Sequence, residues 1–167
     1  MDRTRTVSWQ DPASGREAAI SLSGLEWLRA MANGSVPPPP LALLLGFQLQ
    51  EIDKGRVTVG VEPAEFHYNP LGVVHGGLAP ALFDTALGCA VQSLLPPAMA
   101  APTMQLQINY LRPITIATGK LSCVGEVIHL GKGSAVAEGK LTDRDGKLYA
   151  QATGTFAIRS VGNRTDG

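Results

Sequence analysis

Apolar and polar residues alternate with a period of two through much of the second half of the chain. In residues 103–111 the apolar side chains are separated by Gln or Asn, and they are Met104, Leu106, Ile108 and Tyr110. Such alternation predicts strands with one buried face and one wetter face, as in an antiparallel sheet. Further strands are predicted at 120–129, 134–143 and 148–159, and a hairpin is predicted from 45–52 and 56–62 around the turn Asp53-Lys54-Gly55.

Residues 77–95 have a different pattern, because apolar side chains cover nearly the whole circumference of a helix. A helix of that kind must be buried on almost all sides, so a sheet is expected to wrap it. No second helical segment separates the later strands, which disfavours a doubly wound α/β fold. The predicted fold class is therefore α+β, with one long helix against an antiparallel sheet. Small residues would let the strands approach that helix, namely Ala135, Ala137, Gly139, Ala150, Ala152 and Gly154.

The first forty residues read as an arm outside this domain. Ser23 and Glu26 have capping-box spacing and predict one short helix that ends near Asn33-Gly34. Residues 37–40 are four prolines, which form a linker or, alternatively, a polyproline ligand for a partner. We expect residues 1–40 to be an arm, 41–160 the main domain and 161–167 a tail.

Composition narrows the classes of partner. The 167 residues contain fourteen basic and fourteen acidic side chains, so the net charge of zero provides no field for nucleic acid or an anionic membrane. Apolar residues make up 44% and charged residues only 17%, which predicts that part of the surface is buried against another subunit. Cys89 and Cys123 form no CxxC pair, and no segment resembles a signal peptide or a membrane span. The sequence predicts a soluble cytoplasmic oligomer with no nucleic-acid or membrane partner.

One carboxylate, Asp84, stands within the apolar helix. Burying an ionised Asp without compensation is costly, so its presence needs a reason. It is either a structural Asp that finds hydrogen bonds or solvent at a subunit seam, or a group with a chemical task.

A glycine pair lies immediately before the same helix, in His75-Gly76-Gly77. Pro80 supports a helix start here, because proline is tolerated in a first turn. The amides of Gly76 and Gly77 are therefore expected to be unpaired at the positive end of the helix dipole, where they could hold an oxygen that becomes negative during acyl transfer. Alternatively, the glycines only permit a tight turn.

Taken together, Asn69, the HGG triplet six residues later and Asp84 nine residues after His75 resemble the signature of hotdog-fold acyl-CoA thioesterases. The resemblance is to the branch of phenylacetyl-CoA and 4-hydroxybenzoyl-CoA thioesterases, and it extends over residues 44–158. It implies a curved antiparallel sheet around a central helix, assembled into homodimers and dimers of dimers. The implied reaction is hydrolysis of an acyl-coenzyme A thioester to a free acid and coenzyme A.

The resemblance also implies roles for individual residues. Gly76 would polarise the thioester carbonyl through its amide, Asn69 would position substrate or water, and Asp84 would be the general base or the nucleophile. Thr103 occupies a position where relatives have a hydroxyl that holds the water or the acid. Strand parity instead groups Thr103 with the wetter face, so a surface hydroxyl is the alternative. His75 is expected to brace the loop, with a catalytic base as the alternative.

Substrate contacts are predicted from position. Arg112, Lys132 and Ser134 could meet the coenzyme A phosphates, although each could equally be a solvated surface residue. Gly77 and Phe83 lie near the expected carbonyl and acyl group, although Phe83 could equally be a core residue. His67 and His129 are interpreted as incidental, because no second ligand set accompanies them; no metal and no cofactor is expected, coenzyme A entering as part of the substrate.

Helix geometry favours a site shared between subunits. Eight residues separate Gly76 from Asp84 by about 12 Å along the axis, and eight steps of about 100° do not return to the same face. One chain can hardly apply both groups to one carbonyl, whereas two antiparallel helices across a two-fold axis could. The competing hypotheses are an acyl-CoA-binding protein without turnover and a hotdog dehydratase or hydratase.

Overall fold

The computed structural model describes residues 2–161. The predicted tail, 161–167, lies outside them apart from Val161. The α-helices of these residues are α1 (Ala13–Ser21), α2 (Gly24–Ala32), α3 (Pro40–Leu45) and α4 (Leu78–Gln92). The strands are β1 (Phe47–Asp53), β2 (Arg56–Val61), β3 (Met99–Ala100), β4 (Thr103–Tyr110), β5 (Leu121–Leu130), β6 (Ser134–Asp143), β7 (Leu148–Ala157) and β8 (Arg159–Ser160).

Six strands form one antiparallel sheet in the order β1-β2-β5-β6-β7-β4, and β3 pairs with β8 separately. Helix α4 packs against the inner face of this sheet, chiefly on β5, β6 and β2. The predicted strands and the long central helix are thus confirmed, with ends shifted by at most three residues. No helix in the described part of the chain is both long and apolar enough to cross a membrane.

The close approach of α4 to the sheet depends on missing side chains. A Cβ built on Gly125 would lie 2.6 Å from the Ala86 backbone, and one built on Gly139 would lie 2.6 Å from a Leu87 methyl carbon. Both distances are shorter than a real carbon contact allows. The small residues predicted on β6 and β7 therefore have the expected effect, and Gly125 on β5 adds to it.

The amino-terminal region packs more closely than an arm and contains more helix than its sequence pattern predicts. The Ser23–Glu26 capping box is formed, and Leu28 of α2 is fully buried in the core. Helix α1 escaped prediction because it buries no residue and so has no apolar stripe. Helix α3 lies between the proline linker and the predicted strand, where no element was predicted, and it overlaps that strand only at Leu45. Its signals are Pro40 at the first helical position and Gly46 in the left-handed conformation at its end.

One side of α4 remains open in the single chain, contrary to the expectation of nearly complete burial. The open stripe is made of small and polar residues at helical spacing, namely Pro80, Ala81, Asp84, Thr85 and Gly88. Beside it lies β4, an edge strand that pairs only with β7 within residues 2–161. Met104 and Tyr110 on β4 are 64% and 55% exposed.

Candidate active site

Asp84 lies on the open stripe and is held by β4. Its Oδ1 accepts a 2.6 Å hydrogen bond from the Thr103 hydroxyl. Asp84 is exposed in the single chain rather than buried as its apolar neighbours suggested. The hydroxyl fixes one carboxylate oxygen and leaves Oδ2 without a side-chain partner among the described residues.

A β-bulge brings Thr103 to this side of the sheet. Thr103 pairs with Phe156 while Gln105 pairs with Thr155, so Met104 is an extra residue in β4. The extra residue reverses the strand parity at this point. Thr103 consequently shares the inner face with Leu106 and contacts α4, and the parity argument for a surface hydroxyl is wrong.

Gly76 is held at the other end of β4. The Tyr110 hydroxyl donates a 2.8 Å hydrogen bond to the Gly76 carbonyl, and the Tyr110 ring packs beside the Gly76 Cα. Burial raises the pKa of this phenol, so the hydroxyl stays protonated and able to donate. With its carbonyl engaged, the Gly76–Gly77 peptide has a fixed plane, and this peptide adjoins the one that carries the Gly76 N–H. Tyr110 was not predicted as a site residue, because its apolar alternation gave it a core-strand role.

The two glycine amides differ in availability. The Gly77 N–H donates to His75 Nδ1 at 2.8 Å, so only the Gly76 N–H lacks an acceptor among the described residues. The expectation of two free amides is therefore corrected to one. Because His75 Nδ1 accepts, the proton of the neutral imidazole resides on Nε2. This geometry agrees with His75 as a brace of the loop.

Asn69 shapes the loop that leads to Gly76. Its Oδ1 accepts from the Leu71 N–H at 2.9 Å, and its backbone N–H donates to the Val73 carbonyl at 2.8 Å. With the oxygen engaged, the Nδ2 donors remain for another partner. Asn69 thus has a fixed side chain with a free donor.

Asn69 and Gly76 both line an open cavity of about 420 Å³. One wall comes from residues 69–79 and the other from the end of β4 and the following loop, residues 110–114. Its side chains are mainly aliphatic, with Arg112 as the charged residue. The Arg112 guanidinium donates to the Leu148 carbonyl at 2.5 Å, which anchors it at the rim. The structure therefore unites Asn69, His75, Gly76 and Arg112.

Asp84 and Thr103 do not line this cavity. Thr103 and Tyr110 stand at opposite ends of β4, seven residues or roughly 20 Å apart. The structure therefore places the acid and the free amide at separate locations within one chain, as the helix arithmetic predicted.

The remaining candidates fall in two environments. Phe83 is fully buried in the core and does not reach the cavity. Lys132 and Ser134 lie at the β5–β6 turn, which is at the Thr103 end of the sheet, because Ser134 pairs with Ala157. They are accordingly remote from Arg112 within one chain.

Burial affects the thiols of both cysteines. Burial, with the negative charge of Asp84 as a smaller contribution, raises the pKa of the Cys89 thiol to about 12. Burial also raises the pKa of Cys123, which has no exposed surface. Both thiols therefore stay protonated near neutral pH.

Comparison with known families identifies the same region. The family model described as the thioesterase superfamily matches residues 71–150, a span that includes Gly76, Asp84 and Thr103. The chain is 27% identical over 115 residues to the 1,4-dihydroxy-2-naphthoyl-CoA hydrolase of Listeria monocytogenes, covering 69% of this chain and 92% of that protein. It is 31% identical over 137 residues to a protein of Halobacterium salinarum provisionally named an esterase, covering 77% and 91%.

Solved structures agree. The PaaI protein of the phenylacetic acid degradation operon of E. coli superimposes with a TM-score of 0.69 and 27% identity, covering 84% of this chain and 96% of that one. A hypothetical thioesterase of Streptococcus pneumoniae, solved with coenzyme A, superimposes with a TM-score of 0.62 and 27% identity, covering 68% and 89%. The predicted hotdog fold is thereby confirmed.

Proposed function

The chain belongs to the thioesterase superfamily, and on that premise we propose that it hydrolyses an acyl- or aryl-coenzyme A thioester at a site shared by two subunits of a homodimer. Family membership makes it a thioester hydrolase. The residues that carry out the reaction, the coenzyme A thioester as substrate and the shared site are the parts we propose.

The separation of Asp84 from Gly76 is the observation that carries the proposal. Thr103 holds the acid at the start of β4, and Tyr110 holds Gly76 at its end through the Gly76 carbonyl. A carbonyl placed against Gly76 lies beyond the reach of the same chain's carboxylate. Hydrolysis with both groups therefore requires a second chain.

The free edge of β4 supplies a way to bring them together. If two copies pair their β4 edges antiparallel about the midpoint of Thr103–Tyr110, Thr103 lies opposite Tyr110 of the partner subunit. Asp84 then approaches Gly76 of the partner subunit, and symmetry produces two equal sites. The same contact would cover the exposed β4 side chains and the open stripe of α4.

The chemistry at each shared site follows from the free atoms. The Gly76 N–H would stabilise the oxyanion, and Asn69 Nδ2 would orient substrate or water. Oδ2 of Asp84 would be either the general base or the nucleophile. As a general base, Asp84 takes a proton from water while water attacks the carbonyl carbon and the carbon–sulfur bond breaks. As a nucleophile, it forms a mixed anhydride that water then hydrolyses. Either route gives a carboxylic acid and coenzyme A.

The same symmetry offers a binding surface for coenzyme A. Arg112 lies at the Gly76 end of a protomer, whereas Lys132 and Ser134 lie at the Asp84 end. An antiparallel dimer would bring the Lys132 turn of one protomer towards Arg112 of the partner subunit. Cationic side chains there would suit the phosphates of coenzyme A. The aliphatic cavity beside Gly76 would adjoin the thioester.

A panel of aryl, short-chain and long-chain coenzyme A thioesters tests the activity. Release of coenzyme A is followed with a thiol reagent, to which the high-pKa protein thiols contribute little background. Asp84→Asn is expected to lower kcat by about 10³-fold, whereas Asp145→Asn, at an exposed turn, leaves it unchanged. Tight binding without coenzyme A release, unaffected by Asp84→Asn, would instead support a binding protein.

A further inference from the structure

His67 is a buried imidazole that the proposed reaction does not use. It lies in a 3₁₀ turn, Glu65–His67, and is 6% exposed. Its Nδ1 accepts a 3.0 Å hydrogen bond from the Ala64 N–H, and Nε2 lies 2.8 Å from the Leu45 carbonyl. Both ring nitrogens are therefore occupied.

These two partners determine the state of the ring. A carbonyl only accepts, so Nε2 must carry a proton, and an N–H only donates, so Nδ1 must not. The neutral Nε2–H tautomer alone satisfies both. The ring thereby links the end of α3 to the turn that precedes the Asn69 loop.

The backbone of His67 continues the link into the loop. Its carbonyl accepts a 2.7 Å hydrogen bond from the His75 N–H, and His75 Nδ1 in turn accepts from the Gly77 N–H. Gly76 lies between the two residues held by these bonds. Any shift of the His67 backbone would therefore move the peptide that carries the free amide.

The amino-terminal arm covers the outside of this turn. The Arg5 guanidinium lies 3.8 Å from the Phe66 ring centroid and donates to the carbonyls of Leu43 and Leu44 at the end of α3. The Phe66 ring in turn lies 4.1 Å from that of His67. The exposed Arg3–Glu65 ion pair adds a second contact between the arm and the turn. The arm thus secures both elements that His67 joins.

We propose that His67 is a positioning residue for the hydrolysis, which holds His75 so that the Gly76 amide stays directed at the cavity. The inference rests on the proposed function. His67 acts through His75 and does not contact the substrate. The amino-terminal arm contributes to the same positioning, because Arg5 supports the turn that contains His67.

Two variants at His67 and one matched control test the proposal. His67→Phe keeps a ring but loses both hydrogen bonds, whereas His67→Asn can retain an acceptor for the Ala64 N–H. The control is Ser93→Ala, which also removes two buried hydrogen bonds, those with Gly55 and Ala90, at the far end of α4. For the wild type and each variant, kcat and KM are measured for a hydrolysed thioester, together with hydrogen exchange of peptides covering residues 70–80.

We expect kcat to fall about 10- to 100-fold in His67→Phe and KM to change less than about threefold. The reason is that a misplaced Gly76 amide weakens binding of the transition state more than binding of the substrate. His67→Asn is expected to recover part of the loss. Exchange at residues 70–80 is expected to accelerate most in His67→Phe, less in His67→Asn and not in Ser93→Ala. A kcat in His67→Phe equal to that of Ser93→Ala, with unchanged exchange, would overturn the proposal. An inactive wild type would refute the proposed function instead, and the exchange comparison would still decide whether His67 holds the loop.

Discussion

The Thr103 hydroxyl donates its hydrogen bond to Asp84 Oδ1 over 2.6 Å, although the two residues belong to different elements and are nineteen positions apart. This contact orients the carboxylate on the open side of α4. It depends on the bulge at Met104, since regular pairing would direct Thr103 to the opposite face.

Removal of this hydroxyl should impair catalysis more than folding. Thr103→Val is expected to lower kcat about tenfold, because Asp84 loses the group that orients it, and Thr103→Ser should retain most of the activity. Steady-state kinetics provide the measurement. Thr153→Val, on the exposed face of β7, is the control, and a kcat in Thr103→Val equal to that of the control would contradict the assigned role.

Tyr110 offers the corresponding test at the Gly76 end. Tyr110→Phe keeps the ring beside Gly76 but loses the hydrogen bond to its carbonyl, so the Gly76–Gly77 peptide, which adjoins the free amide, becomes less constrained. We expect kcat to fall about tenfold with little change in KM. Kinetics of Tyr110→Phe and of Tyr149→Phe, a buried tyrosine whose hydroxyl bonds to Asp143, make the comparison. Equal kcat values for the two variants would show that the Tyr110 hydroxyl does not support catalysis.

The sequence predicted the central parts of this arrangement and, through the family resemblance, Thr103 as a hydroxyl that holds the water or the acid. The apolar circumference of α4 and the HGG turn located the helix start, and helix geometry alone separated Gly76 from Asp84. Strand parity misplaced Thr103 because a one-residue bulge has no composition signal. Tyr110 was not predicted as a site residue. The sequence pattern does not show which hydroxyl reaches the Gly76 carbonyl, because that depends on how tightly the sheet curves around the helix.

The pH dependence of stability should reveal the buried His67. Burial, partly opposed by the hydrogen bond to Leu45 and assisted by Arg5, lowers the pKa of His67. Its contribution to the free energy of unfolding is therefore complete above the ordinary histidine pKa of about 6.5 and decreases as the pH falls below it, because the unfolded chain takes up the proton first. Urea unfolding at about pH 7.5 and about pH 5.5 should show a smaller loss of stability on acidification in His67→Phe than in the wild type. Equal losses would show that His67 makes no such contribution.

Packing between α4 and the sheet should tolerate no side chain at Gly125. The Cβ of Gly125→Ala would meet the Ala86 backbone at 2.6 Å, so the helix would have to move. We expect the free energy of unfolding to fall by about 2 kcal/mol or more. Gly133→Ala, where a new Cβ meets nothing within 4 Å, should change it by less than about 0.5 kcal/mol. Similar unfolding midpoints in denaturant for the two variants would contradict the close approach.

Mixing two inactive variants tests the shared site most directly. Asp84→Ala and Asn69→Ala homodimers are unfolded together, refolded and assayed for coenzyme A release. Random pairing makes about half of the dimers heterodimers, each with one site that carries both mutations and one intact site, so about a quarter of the wild-type activity should return. Activity no greater than the sum of the two parents, in a mixture shown to contain heterodimers, would contradict a site built from Asp84 of one subunit and Gly76 of the partner subunit.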